Sequence, residues 1–293
     1  MILEDHAMTC YLEAGKLAKI CREEAAAMVK EGARVLELVD TIEAKILAEG
    51  GEIAFPLNIS FNQDAAHDTA RPGDTRTFSE GDLIKVDLGV HIDGYVADTA
   101  QTVNLGDHDR LVEATREALN SAIKAVKPGA VTGKLGAIIQ EEITSRGFLP
   151  VQNLTGHGLS QYQLHGPPSI FNIAHEGGHV LEEGMVFAIE PFASTGTGIV
   201  HDGPRTEIYS QIAVKPVRLP SAKKILAEIR DRRSLPFARR WLTPNKTDLA
   251  LAQMKKAGII HGYPVLHDEP GSFISQAEHT MIVTADGCIV TTQ

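Results

Sequence analysis

The feature that most constrains this chain is the dipeptide Asp93-Gly94, set between two stretches that alternate like strands. Leu83-Ile84-Lys85-Val86-Asp87-Leu88 leads into His91-Ile92, and Tyr95-Val96 follows the dipeptide. Asp-Gly suits a two-residue type I′ hairpin turn, whose central residues both need positive φ. With that turn the register is fixed: Ile92 faces Tyr95 and Gly89 faces Asp98. Asp87 lies two residues from Gly89, so it shares a face with Asp98. The two side chains become diagonal neighbours, about 5–7 Å apart at their base. Two anions at that separation repel, Asp is disfavoured within strands, and neither acid reads as a helix cap. A bound cation resolves the conflict. The plainer alternative is that both acids face solvent on an edge hairpin, and the hairpin alone does not displace it.

The surrounding pattern is mixed. Residues 4–31 and 35–48 carry apolar residues at helical spacing, stopped by Gly32 and by Gly50-Gly51. A short strand is expected at 54–57 and helices at 108–126 and 133–146. A glycine- and histidine-rich loop is expected over 156–179, then strands at 185–190 and 206–214. From 217 to 263 Arg and Lys cluster, and helical patterns occupy 221–231 and 245–257. This stretch reads as a helical insert inside one catalytic domain spanning 1–293. Strands return at 277–284 and 288–292, joined by Ala285-Asp286-Gly287. The class is α/β (α+β), and a carboxylate-bearing strand in each half suggests an internal duplication.

Two more acids stand where acids are costly. Glu190 ends the apolar run Met185-Val186-Phe187-Ala188-Ile189, and Glu278 heads the apolar strand that follows it. Unpaired buried charge is expensive. Four carboxylates offer hard oxygen ligands suited to Mn²⁺, Fe²⁺ or Co²⁺, and they balance two divalent cations in formal charge. Two such ions polarise a carbonyl, which is hydrolase chemistry.

Composition narrows the partners. Net charge is −10, hydrophobic residues make up 43% and charged residues 23%. That is globular composition, and it speaks against a specific nucleic-acid role. Cys10, Cys21 and Cys288 form no CxxC pair, so neither a disulfide framework nor a thiolate metal site is implied. The first residues lack the apolar core of a signal peptide, and no stretch reaches membrane-spanning length. A soluble, cytoplasmic protein without membrane association is expected.

One conspicuous motif points elsewhere. His175-Glu176-Gly177-Gly178-His179 fits H-E-x-x-H, the zincin signature. That signature works only on a helix, where i and i+4 share a face. Two glycines in its middle cost about 1 kcal/mol each in a helix, and Pro167-Pro168 stands shortly before it. A loop is expected, and Glu176→Gln is expected to cost little activity.

The segments AFPLNISFNQDAAHDTA, GDLIKVDLGVHIDGYVADTAQTV, NLTGHGLSQYQLHGPP, GMVFAIEPFASTG and SQAEHTMIV, in this order, resemble methionine aminopeptidases of type II, the archaeal and eukaryotic form. The resemblance runs from the first helix to the last strand. It implies the pseudo-two-fold pita-bread fold, with the helical insert that separates type II from type I. It also implies two divalent metal ions (Co, Mn, Fe or Zn) held by Asp87, Asp98, His157, Glu190 and Glu278. Asp87 resembles a terminal ligand, Asp98 and Glu278 the bridging carboxylates, and His157 and Glu190 the remaining ligands of the second ion. The implied reaction removes N-terminal methionine from nascent chains and peptides with a small second residue, by attack of a metal-bridging hydroxide with Glu190 as proton shuttle. His67 is expected at the scissile amide, and His165 at the oxyanion or orienting the substrate. Phe55, Phe192 and Tyr263 match positions that line the methionine pocket. Local departures from the family pattern, Gly158 and Gly166-Pro167-Pro168, fall beside the site.

Two other readings share the fold. Prolidases and proline aminopeptidases use the same five ligands but carry an extra N-terminal domain, for which Asp87 comes too early. Non-catalytic binding relatives lose ligands, whereas all five stand here. The resemblance favours a monomer. The clusters Arg230-Asp231-Arg232-Arg233 and Arg239-Arg240 read as solvated faces, with contact to ribosomal RNA as the alternative. His279 follows Glu278 on the opposite face of its strand and is expected to point away from the metals.

Overall fold

The computed structural model describes residues 3–243 and 246–293. In chain order the elements are α1 (Asp5–Met28), α2 (Val35–Ala48), β1 (Glu52–Phe61), β2 (Asp64–Ala66), β3 (Leu83–Ile92), β4 (Tyr95–Asn104), α3 (Asp109–Ala125), α4 (Thr132–Ser145), β5 (Leu149–Pro150), β6 (Thr155–Ser160), β7 (Gln163–Phe171), β8 (Val186–Ile189), β9 (Phe192–Ser194) and β10 (His201–Gln211). They continue as α5 (Pro220–Glu228), β11 (Phe237–Ala238), α6 (Thr247–Lys256), β12 (Ile260–His267), β13 (Ile274–Gln276), β14 (His279–Val283) and β15 (Cys288–Val290). The strands form four sheets, ordered β1-β3-β4, β11-β10-β12-β2, β13-β9-β5 and β15-β14-β8-β6-β7.

Two helix pairs each cover an antiparallel sheet. α1 and α2 bury Ala18, Leu38 and Ile42 against Ile59, Val86 and Leu88. α3 and α4 bury Leu119 and Ile139 against Phe187 and Met281. The apolar spacing of Leu111, Ala114, Ala118 and Ala122 keeps one face of α3 turned to that core. Cys10 and Cys21 are buried on α1 as free thiols.

The edge of β4 joins the halves. Ala100 and Glu278 exchange backbone bonds at 3.3 and 2.9 Å. The Thr280 hydroxyl donates to the Asp98 carbonyl and accepts from the Asp98 amide, both at 2.8 Å. Thr99 donates to the Glu278 carbonyl at 2.9 Å, and Thr102 to that of Gln276 at 2.8 Å. A strand edge that would otherwise be open is thereby closed by residues 276–280.

Several elements differ from the sequence reading. The expected short strand at 54–57 is part of a ten-residue strand, because register shifts around Phe55 accommodate Pro56 without ending the pairing. The expected loop at 156–179 contains the β6–β7 hairpin. Its glycines mark close strand approach: a Cβ on Gly158 would stand 1.8 Å from the Pro167 carbonyl oxygen, and one on Gly156 2.3 Å from that of Ala188. The expected strand at 277–284 breaks at Glu278, which stands between β13 and β14. The helix expected at 221–231 ends at Glu228, with a 3₁₀ turn at Arg230–Arg232. The expected start at Asn245 lies outside the described residues.

Residues of α5, β11 and α6 bury Ile225, Phe237, Leu251 and Met254 together with Tyr209 and Ile260. Arg240 and Trp241 tie this unit to α2 through the Glu43 carboxylate. Among the described residues no helix is long and apolar enough to cross a membrane.

Candidate metal centre

The hairpin has the register expected from its turn. Ile92 pairs with Tyr95 and Gly89 with Asp98, and Asp93 and Gly94 adopt φ of 48° and 81°. Its acids do not face solvent: Asp87 is 9% exposed and Asp98 3%. Phe55 explains Gly89 opposite Asp98, since a Cβ there would stand 2.3 Å from the Phe55 ring.

Three further segments converge on this hairpin. The closed β4 edge brings Glu278, the break between β8 and β9 brings Glu190, and β6 brings His157. Ligand atoms of Asp98, His157 and Glu278 lie within 4.8 Å of one another, and this is the one such group among the described residues. His157 Nε2 lies 3.6 Å from Asp98 Oδ2 and 3.7 Å from Glu190 Oε1. Gln276 Nε2 donates to Glu190 and Glu278 at 3.4 and 3.5 Å. All four acids and His157 line one cavity.

These acids have no cationic side chain to balance them. Among the described residues, neither Lys nor Arg forms an ion pair with any of the four. Burial pushes Asp87 up to about 7. Burial, then the charge of Asp87, raises Asp98 well above its ordinary value. Glu190 and Glu278 rise in the same way, from burial and then from Asp98 and the other acids. Burial lowers His157 to about 4, which keeps its imidazole neutral and able to ligate. Asp87 Oδ1, Asp98 Oδ1 and Glu278 Oε1 are buried without any hydrogen bond. Orphaned, mutually repelling oxygens beside a neutral imidazole are what divalent cations would satisfy, so the residues present fit such ions.

His67, His165, Phe55, Phe192 and Tyr263 line the same cavity, whose volume is about 600 Å³. His67 has φ of 65°, and its Nδ1 lies 3.2 Å from the Pro264 carbonyl oxygen. A carbonyl can only accept, so Nδ1 carries the proton. Burial lowers His67 to about 4, which leaves Nε2 unprotonated and an acceptor. His165 stacks edge-on to His157 with centroids 4.5 Å apart. The surrounding protein, then His157 and His67, hold it well below its ordinary pKa. The Tyr263 ring lies 5.4 Å from that of His67, and its hydroxyl bonds Ser210 at 3.1 Å.

His279 points away from the cavity, as its strand position requires. Its Nδ1 meets Arg22 and Thr292 at 3.3 and 2.9 Å. Sequence reasoning missed Asn58, which pairs with Asp87 across β1 and β3 and lines the cavity. It also missed Gln276, although its position two residues before Glu278 was a readable signal of a shared side. The H-E-x-x-H segment is a loop. His175 turns to Phe171 with centroids 5.0 Å apart, whereas His179 lines the cavity.

The profile of metallopeptidase family M24 matches residues 9–285. The methionine aminopeptidase of Archaeoglobus fulgidus is 46% identical over 292 residues, covering 99% of this chain and 100% of the relative. Among solved structures, a thermophilic Arx1 superposes with TM-score 0.88 at 17% identity, covering 99% of this chain and 91% of that one. A methionine aminopeptidase from Rickettsia prowazekii superposes with TM-score 0.72 at 24% identity, covering 100% of this chain and 99% of that one. At those identities the two structures speak for the fold alone.

Proposed function

This chain belongs to metallopeptidase family M24, and on that premise we propose that it hydrolyses the N-terminal methionine from peptides and nascent chains. The observation that carries the reading is the group of three buried carboxylates and half-buried Glu190 without a balancing cation among the described residues, in a chain nearly half identical over its length to a methionine aminopeptidase. The fold is the mixed α/β pita-bread fold of the family, and residues 217–263 are taken as a helical insert within that one domain.

Asp87, Asp98, His157, Glu190 and Glu278 would hold two divalent ions. Ions so held supply Lewis acidity toward the scissile carbonyl and activation of a water. Each residue then has a task. Glu190, which lines the cavity beside His157, accepts the proton of the attacking water and delivers it to the departing amine. His67 offers Nε2 as an acceptor to the amide N–H beside the scissile bond. His165 is neutral and donates to the oxygen on which charge develops. Phe55, Phe192 and Tyr263, with buried Leu164 and Ile208, enclose an apolar end that fits an unbranched thioether side chain. A small second residue is expected to be preferred.

The test is cleavage of Met-Ala-Ser peptides by metal-stripped protein with Mn²⁺, Co²⁺, Fe²⁺ or Zn²⁺ restored singly, against Xaa-Pro peptides as the prolidase control. Restored methionine release without Xaa-Pro cleavage supports the reading, and no release with any ion overturns it. A monomeric protein in the cytoplasm is the accompanying expectation. Contact with the ribosome through the Arg230–Arg233 cluster is a subsidiary proposal, tested by salt-sensitive co-sedimentation.

A further inference from the structure

The active-site cavity has two unlike walls. Phe55, Leu164, Phe192 and Ile208 are buried. His165, Pro167, Ser169 and His179 also line it, yet they are exposed. An enzyme that takes one residue from an N-terminus seats that residue at the closed wall. Everything beyond the scissile bond must leave through the exposed one. Its residues come from β7 and the segment after it, and β7 turns Leu164 to the buried side and His165, Pro167 and Ser169 to the exposed one.

His179 is held firmly there. Its amide accepts no freedom from the loop: it donates to Thr132 Oγ1 at 3.2 Å, and its carbonyl accepts from the Thr132 amide at 3.0 Å. The next residue, Val180, bridges Val131 at the start of α4. Gly177 and Gly178, with φ of 77° and 116°, let the chain turn into this clamp. The imidazole itself makes no hydrogen bond and no ring contact among the described residues. A fixed backbone thus presents a free ring to the cavity mouth. His175, the other histidine of the motif, is occupied by Phe171.

We propose that His179 is a specificity-determining residue that hydrogen-bonds the peptide backbone beyond the scissile bond, so that its contribution to binding is felt by longer methionyl peptides and not by the dipeptide. The proposal rests on the methionine aminopeptidase reading and adds to it the part of the substrate that remains after cleavage. Ser169, paired with His157 across β6–β7, lines the same cavity.

The experiment compares Met-Ala, Met-Ala-Ser and Met-Ala-Ser-Lys as substrates of the metal-loaded wild type, His179→Ala and His179→Gln, with Glu176→Gln as the loop control. One lost hydrogen bond corresponds to about fivefold. His179→Ala is expected to raise KM for the tetrapeptide about fivefold relative to Met-Ala, at similar kcat, which marks lost uniform binding. His179→Gln, which keeps a donor and an acceptor, is expected to recover part of that ratio, and Glu176→Gln to keep it. An equal loss at every length, or no loss at any length, overturns the placement while leaving methionine release intact. A wild type that releases no methionine overturns the functional reading, and the placement with it.

Discussion

Two clusters of buried acids lie in this molecule, and they differ in what surrounds them. Asp68 and Asp74 are 1% and 0% exposed, at least as deeply buried as the acids of the candidate metal centre. Arg76 grips both, Nη1 to Asp68 at 2.6 Å and Nη2 to Asp74 at 2.8 Å. Arg205 reaches Asp68 and Asp64 at 3.3 and 3.2 Å. Asp74, its desolvation outweighed by bonds from Arg76, is held below its ordinary pKa. Around Asp87, Asp98, Glu190 and Glu278 there is no such cation among the described residues, and all four rise. Burial alone therefore does not mark function. Burial without compensation is what sets the candidate centre apart, because its cost is left for something outside the chain to offset.

The comparison breaks most sharply at Asp98. Asp98→Asn is expected to lower kcat/KM roughly a thousandfold, several kcal/mol at 1.4 kcal/mol per decade. The same change removes repulsion, so the metal-free variant should melt above metal-free wild type in calorimetry. A lower melting point would mean that the acids are already compensated. At the other cluster, Arg76→Met leaves Asp74 without a cation and Asp68 with only half-exposed Arg205, and should cost about 3–5 kcal/mol in urea unfolding. A loss under about 1 kcal/mol would put that network on the surface in energetic terms.

Titration separates paired from unpaired acids with opposite signs. Asp87, raised to about 7, favours the folded metal-free protein fully only below the ordinary carboxylate range, so stability falls as pH rises from about 4 to 7. Added metal should abolish that fall. Asp268 is lowered to about 2: its burial is outweighed by bonds from Ser194, Thr197 and the amides of Glu269 and Gly198. Its contribution, about 2 kcal/mol, is present above pH 4 and disappears as pH drops toward 2. Melting curves of chelated protein from pH 2 to 8 test both, and a flat profile would contradict both. The smallest effect is expected at Gln276, whose bonds to Glu190 and Glu278 are long. Gln276→Leu should weaken metal binding about tenfold by competition with a chelating dye.

How much of this was legible depended on range. The hairpin was readable because Asp93-Gly94 sets a register within a dozen residues, and that register carries Asp87 and Asp98 onto one side. Glu190 and Glu278 were suspicious because each adjoins an apolar run. Local rules set His175 and His179 aside as a helical pair, but none picked out His157, which entered only through the family resemblance. What distinguishes it is the pairing of β6 with β7 and β8, and glycines there resembled loop signals. Helix starts were read only roughly: none of α1 to α6 has a side-chain N-cap hydrogen bond, so the usual boundary residue is missing. The link from Arg22 to Thr99 and His279 joins residues 77 and 257 positions apart, and nothing in a linear pattern announces it.

The closure of β4 by residues 276–280 also sets a timetable. Asp98 leaves the ribosome 180 residues ahead of Glu278. At synthesis rates of about 5–20 residues per second, the hairpin waits roughly ten to forty seconds for the segment that completes it. Throughout that interval β4 offers an unpaired edge and two acids without their partners. Premature pairing with another chain is the hazard of such an edge. A half-made chain therefore lacks Glu278, and with the proposed centre incomplete until then, activity is expected as a late event in translation rather than one growing with length.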